Sequence, residues 1–133
     1  MIQASELRIG NLVYSPINAK IGKLLAIEMG GRPIIDIGED TTFTTSFSGM
    51  DCLRPIPLIP EILLSCGFTN IRDVHWCIPN KDAANSFEVC LWNDHVSYTK
   101  GNSHHLEIKS LHQLQNLYFA LTNQELIYNP INT

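Results

Sequence analysis

With 133 residues, 44% of them hydrophobic and 17% charged, the chain suits one domain or two small units sharing a core, and this composition argues against disorder. The net charge of −4 argues against a global basic field of the kind that draws nucleic acid or anionic lipid. No apolar run reaches the roughly 18 residues of a membrane span, and the start lacks the basic-then-apolar order of a signal peptide. The sequence therefore predicts a cytoplasmic protein with no membrane partner.

The first predicted elements are short strands. Residues 11–15 form one candidate, and residues 21–29 form the next, with Gly22 as the expected site of a bulge. Gly30-Gly31 reads as a turn, residues 33–37 as a third strand, and the Thr- and Phe-rich residues 41–47 as a fourth. Six of the eight glycines precede residue 54, and close strands parted by such turns predict a small, strongly bent barrel or sheet.

Residues 54–60, Arg-Pro-Ile-Pro-Leu-Ile-Pro, are extended, because each proline restricts the residue before it. They read as a stiff connector. Pro60 opens a short helix at its first position, and Glu61 suits the dipole of that turn. Gly67 ends the helix, with Phe68 folding back on Leu63 or Leu64.

Strand patterns then return. Residues 74–78 alternate, with Val74, Trp76 and Ile78 opposed to His75 and Cys77. Residues 86–92 also alternate, placing Phe87, Val89 and Leu91 on one face and Glu88, Cys90 and Trp92 on the other. A two-residue Asn93-Asp94 turn sets Leu91 opposite Val96 and Val89 opposite Tyr98 on a return strand, with His95 and Ser97 on the polar face. Residues 106–109 are extended, and residues 125–128 are expected as a last strand.

The clearest pattern is a helix over residues 110–122. Leu111, Leu114, Leu117, Tyr118 and Leu121 share one face. Ser110 with Gln113 makes a capping-box pattern, and Asn123 suits the left-handed position just past the end. Leu114 and Leu117 are expected to be buried, with Gln115 and Asn116 turned outward or sideways. The fold class is α+β with antiparallel strands: a small barrel-like β unit over residues 1–54, then an α+β unit over residues 55–133 with one short and one longer helix.

Three stretches carry a resemblance. They are Ser5-Glu6-Leu7-Arg8-Ile9-Gly10-Asn11-Leu12-Val13-Tyr14, then Pro55-Ile56-Pro57-Leu58 with Leu63-Leu64 and Gly67-Phe68, and finally His112-Gln113-Leu114-Gln115-Asn116-Leu117-Tyr118-Phe119-Ala120-Leu121-Thr122. Together the chain resembles a family of small uncharacterised proteins from Bacteroides-type bacteria, their phages and their mobile elements. The resemblance spans nearly the whole chain and implies neither an activity nor functional residues. In that family a Gly-Glu-Glu-Leu follows the last helix, where this chain has Asn123-Gln124-Glu125-Leu126. Asparagine tolerates the same left-handed conformation. A second, shorter resemblance joins residues 8–13 with residues 21–27. It is similar to the opening hairpin of SH3-like barrels of the KOW type, and implies an SH3-like first unit.

Candidate chemistry is sparse. Cys52, Cys66, Cys77 and Cys90 lie 14, 11 and 13 residues apart, without a Cys-x-x-Cys pair, so reduced and mostly buried thiols are expected. His104-His105 would need Asp94, His95 or His112 nearby to hold a metal, and a polar loop is the favoured reading. Neither a metal nor a cofactor is expected. His75 and Cys77 share a face two residues apart, and Cys90 lies on a similar one. A cysteine- and histidine-dependent hydrolase is therefore one alternative, although no catalytic signature surrounds either cysteine.

The acidic pairs Glu39–Asp40 and Asp82–Glu88 read as solvated surface. Gly30-Gly31-Arg32 lacks the spacing and Lys-Ser/Thr ending of a phosphate loop. Lys20, Lys23 and Arg32 support a nucleic-acid-binding alternative through the SH3-like unit. Against it, residues 55–133 carry four basic and seven acidic side chains. Trp76 and Trp92 offer a stacking surface for a base or a peptide, although an aromatic on a strand is more often core. With no catalytic residue assigned, the leading expectation is a non-enzymatic module that acts through protein contacts in a phage or mobile-element setting.

Overall fold

Residues Ile9 and Gly10 turn the chain into its first strand. Gly10 has φ +98°, a left-handed conformation that glycine adopts without steric cost. Its N–H donates to Leu24 O at 2.8 Å, and Leu24 N–H donates to Asn11 O at 2.8 Å, so the turn is stitched to the neighbouring strand. The computed structural model describes residues 6–16, 20–27, 33–36, 44–45, 53–78, 87–93, 95–99 and 105–129. The fold is α+β, with two antiparallel sheets, one short helix and one longer helix among these residues. The chain divides into two units: Met1–Ile56 with Leu111–Asn116, and Pro57–Ser110 with Leu117–Thr133.

In the first unit, β1 (Leu12–Ser15), β2 (Lys20–Ile27), β3 (Pro33–Asp36) and β4 (Thr44–Thr45) pair in chain order. Their alternation buries Val13, Leu24 and Ile35, and Leu53 joins this core with Leu7 packed beside it. Gly22 sits in regular register opposite Val13, and the register shift falls between Leu24 and Ala26. The bulge expected at Gly22 is thus at Leu25, because a bulge needs an unpaired extra residue and not an absent side chain. The connector is more than a spacer at its start. Arg54 and Tyr14 exchange both backbone hydrogen bonds at 2.9 Å, and Ile56 O accepts from Leu111 N–H at 2.9 Å.

The second unit opens with α1 (Pro60–Ser65), which has proline in its first turn as the sequence predicts. Gly67, at φ +88°, donates to Leu64 O, and Phe68 N–H donates to Leu63 O, both at 3.0 Å. These two bonds satisfy carbonyls that the helix leaves free, while the Phe68 ring folds into the core. The five strands that follow pair in chain order: β5 (Thr69–Arg72), β6 (His75–Ile78), β7 (Phe87–Leu91), β8 (Val96–Thr99) and β9 (His105–Ile108). Strand β5 is absent from the sequence reading. It is an edge strand exposed along its whole length, so it carries no alternation to betray it.

The hairpin takes the expected register. Leu91 faces Val96, Cys90 faces Ser97, and Trp92 N–H donates to His95 O at 2.9 Å to close the turn. Val89 and Val96 are buried, and Glu88 is exposed. Phe87 is the hub of an aromatic cluster. It stacks on Tyr98 at 5.1 Å between ring centroids and meets Phe68 at 6.1 Å and Tyr118 at 5.1 Å edge to face. Residues 125–128 form no strand; Leu126 is buried, and Asn129 N–H donates to Ser65 O at 2.7 Å.

Helix α2 (Leu111–Thr122) ends as expected, with Asn123 left-handed at φ 59° and its N–H on Phe119 O at 2.8 Å. Its start departs from the capping box. Ser110 makes no side-chain cap hydrogen bond, and Gln113 turns its amide to Glu6 Oε1 at 3.4 Å. Leu111 and Leu114 are fully buried, Leu117 is half-buried and Leu121 is exposed. Among the described residues, no helix is long and apolar enough to cross a membrane.

Candidate functional site

Two groups of polar side chains stand out, one in each unit. In the first unit they cluster where the N-terminal turn meets the first half of α2. Asn11, buried ahead of β1, accepts from Arg8 N–H at 2.7 Å and donates its amide to Asn116 Oδ1 at 2.8 Å and Gln115 Oε1 at 3.4 Å. Gln115 Oε1 also accepts from Leu12 N–H at 2.8 Å. Asn116 donates to Glu6 O at 2.8 Å and accepts from Arg8 Nε at 3.2 Å. Gln115 is only 3% exposed, contrary to the outward or sideways placement its neighbours on the helix suggest. Its amide is buried because it has backbone and side-chain partners waiting for it.

His112 lies at the same junction, 1% exposed, with Nε2 3.4 Å from Glu6 Oε1. Burial holds its pKa below the ordinary histidine value, while the Glu6 hydrogen bond and charge pull it back up. Among the described residues, no buried side-chain nitrogen or oxygen lacks a partner. The buried atoms of the cluster are thus all partnered, and they fasten the turn to the helix.

The second group lies on the five-stranded sheet. Strand alternation buries Trp76 and Val89 as cross-strand partners, and puts His75, Cys90, Ser97 and Glu107 in one row on the opposite face. Cys77 and Glu88 pair on that same face. Cys90 Sγ is 3.5 Å from His75 Nδ1, whereas Cys77 Sγ lies 3.8 Å from Thr69 Oγ1. The partner of His75 is therefore Cys90 across the sheet and not Cys77 along the strand. Residues two apart on a strand are separated by about 6.6 Å, but directly opposed residues by about 4.5–5.5 Å.

At the hairpin end, Trp92 Nε1 donates to Ser97 Oγ at 2.9 Å, which lays the indole over the polar face. Trp92, His95, Ser97, Leu106 and Glu107 line an open pocket of about 350 Å³. His95 Nδ1 is 3.7 Å from Glu107 Oε1 at its rim. Trp92 is 47% exposed and Trp76 only 7%, so the two do not form a shared stacking surface: Trp76 is core and Trp92 faces solvent. The Trp92–Ser97 bond and Glu107 are missing from the sequence reading. The signal that could have found them is the odd-numbered alternation, carried on from Ser97 to strand β9.

The remaining candidates are scattered. Lys20 and Lys23 are exposed on β2, while Arg32 lies outside the described residues. So do Cys52, Asp94, His104, Glu39, Asp40, Asp82 and the Gly30-Gly31 turn. Cys66, Cys77 and Cys90 are free thiols, and burial pushes Cys66 up to about 12. Among the described residues, no group of three His, Cys, Asp or Glu side chains is placed to hold a metal ion. Comparison with protein-family models, curated proteins and solved structures finds no match to this chain.

Proposed function

We propose that this chain is a non-enzymatic interaction module that binds a protein partner through the polar face of its five-stranded sheet. The observation that supports this reading is Trp92, a half-exposed indole braced by Ser97 beside a pocket that also offers Leu106 and Glu107. Tryptophan at such a position supplies large contact area at little entropic cost, and such residues dominate binding energy at protein interfaces. Glu107 suits the pocket to a basic side chain, which would lie against the indole face and the carboxylate together. The setting we propose is the cytoplasm, in a phage or mobile-element context, on the strength of the free thiols and the sequence resemblance. An SH3-like first unit belongs to the same proposal. Nucleic-acid binding through Lys20 and Lys23 ranks below it, because two exposed lysines release few counterions.

The test is partner capture from the native host with three forms of the chain: the parent, Trp92→Ala and Ile127→Ala. Ile127 is another exposed apolar residue. A partner kept by the parent and Ile127→Ala and lost by Trp92→Ala is the expected result. A partner held equally by all three forms removes Trp92 from the interface and overturns the reading.

A further inference from the structure

The polar face of the five-stranded sheet holds a thiol and an imidazole in contact, and the interaction reading makes no use of them. Cys90 and His75 are directly paired on β7 and β6, with Sγ 3.5 Å from Nδ1. Both residues are half-buried and so partly open to solvent. The other described thiols differ. Cys66 is buried and holds its proton, and Cys77 faces the hydroxyl of Thr69. From this geometry we infer that Cys90 is an oxidant-reactive thiol, assisted by His75, whose reaction partner is a hydroperoxide.

The step balances on groups at hand. In the neutral imidazole with hydrogen on Nε2, the Nδ1 lone pair takes the Cys90 proton as sulfur attacks the terminal peroxide oxygen. An S–O bond forms and the O–O bond breaks. The departing alkoxide, or hydroxide for hydrogen peroxide itself, recovers that proton from His75. The thiol is oxidised to a sulfenic acid, and the hydroperoxide is reduced to an alcohol or water. Cys77 does not resolve this product on the same face. It pairs with Glu88 and so stands diagonal to Cys90. Diagonal neighbours on a sheet are about 7–8 Å apart, whereas a disulfide needs Cβ atoms within about 3.5–4.5 Å. Among the described thiols none is placed to resolve the product, Cys66 being buried and Cys77 diagonal, so its reductant is an external thiol.

The experiment treats the folded full-length chain with hydrogen peroxide and a sulfenic-acid-trapping dione, then quantifies each cysteine-containing peptide by mass spectrometry over time. Cys90 should label faster than Cys77 and Cys66. His75→Gln should slow Cys90 by at least about tenfold, as loss of a positioned base does, and leave the Cys77 rate unchanged. Equal labelling of Cys90 and Cys77 in the parent overturns the inference, as does an unchanged Cys90 rate in His75→Gln. Circular dichroism checks that the variant folds. If it does not, the ratio of Cys90 to Cys77 labelling in the parent decides alone. A disulfide between Cys77 and Cys90 after peroxide treatment would refute the geometry argued for the product.

Discussion

Each unit has an apolar core, but the two fasten residues of helix α2 to it by different means. In the first, side-chain amides from α2 hold the turn before β1: Gln115 takes Leu12 N–H, and Asn116 takes both Asn11 and Arg8. In the second, rings do the equivalent task, with Phe87 touching Phe68, Tyr98 and Tyr118. Hydrogen bonds are directional and each adds little net stability, but a buried group left unpaired is costly. Aromatic burial is less directional and scales with the area removed from water, so its loss is larger and its geometry more forgiving. The first unit should therefore respond sharply to the identity of a polar atom, and the second to volume.

The largest effect should come from emptying the ring cluster. Phe87→Ala should cost about 3–5 kcal/mol in a denaturant titration, and Phe87→Leu distinctly less. If the two substitutions cost the same, the second unit is not governed by volume. Next is Gln115→Ala, which strips an acceptor from Leu12 N–H and Asn11 and should cost about 1–3 kcal/mol. A double-mutant cycle with Asn11→Ala should show coupling of about 0.5–3 kcal/mol. Strict additivity would break the claim of a network.

Backbone strain should ignore the contrast between the units. Gly10 and Gly67 both have positive φ, and an added Cβ at either meets nothing within 4 Å. Alanine at each should therefore cost about 1–2 kcal/mol from backbone conformation alone. Unequal thermal shifts from the two variants would show that a local contact intervenes.

A smaller effect sharpens the polar junction. The folded-state pKa of His112 lies below its ordinary value, so the unfolded chain takes up the proton first. The contribution of this group to stability is whole above the ordinary value of about 6.5 and declines as pH falls toward the folded value. Melting temperatures across that range should fall less steeply for His112→Gln than for the parent, and parallel curves would exclude His112 as the source. The smallest effect belongs to Trp92→Ala. Because Trp92 is half exposed, its loss should cost only about 0.5–1.5 kcal/mol, chiefly through its bond to the buried Ser97. A larger drop in a melting curve would place the indole in the core and weaken its role as an anchor.

Much of the second unit was legible in the residues. The proline start and glycine end of α1, the left-handed Asn123 and the register of the Phe87–Tyr98 hairpin all rest on local dihedral preferences or a period of two, which travel with the sequence. Features without such a local signal escaped. Strand β5 has no buried face, and residues 125–128 resemble a strand yet lie against their unit without pairing.

The destination of polar side chains was decided only by tertiary structure. Helical spacing predicts which leucines share a stripe, but it does not say that Gln115 will be buried. Its partner Asn11 is 104 residues away in the chain. The same holds for the candidate sites. Alternation placed His75, Cys77 and Cys90 on polar faces, but the pairing of β6 with β7 chose Cys90 as the neighbour of His75. Likewise, two tryptophans of equal promise were separated into core and surface by the faces their strands turn to the sheet. An amino-acid sequence carries the preferences of each residue for its own backbone. Which polar atom meets which depends on chain segments brought together from afar, and only the folded arrangement of strands determines that.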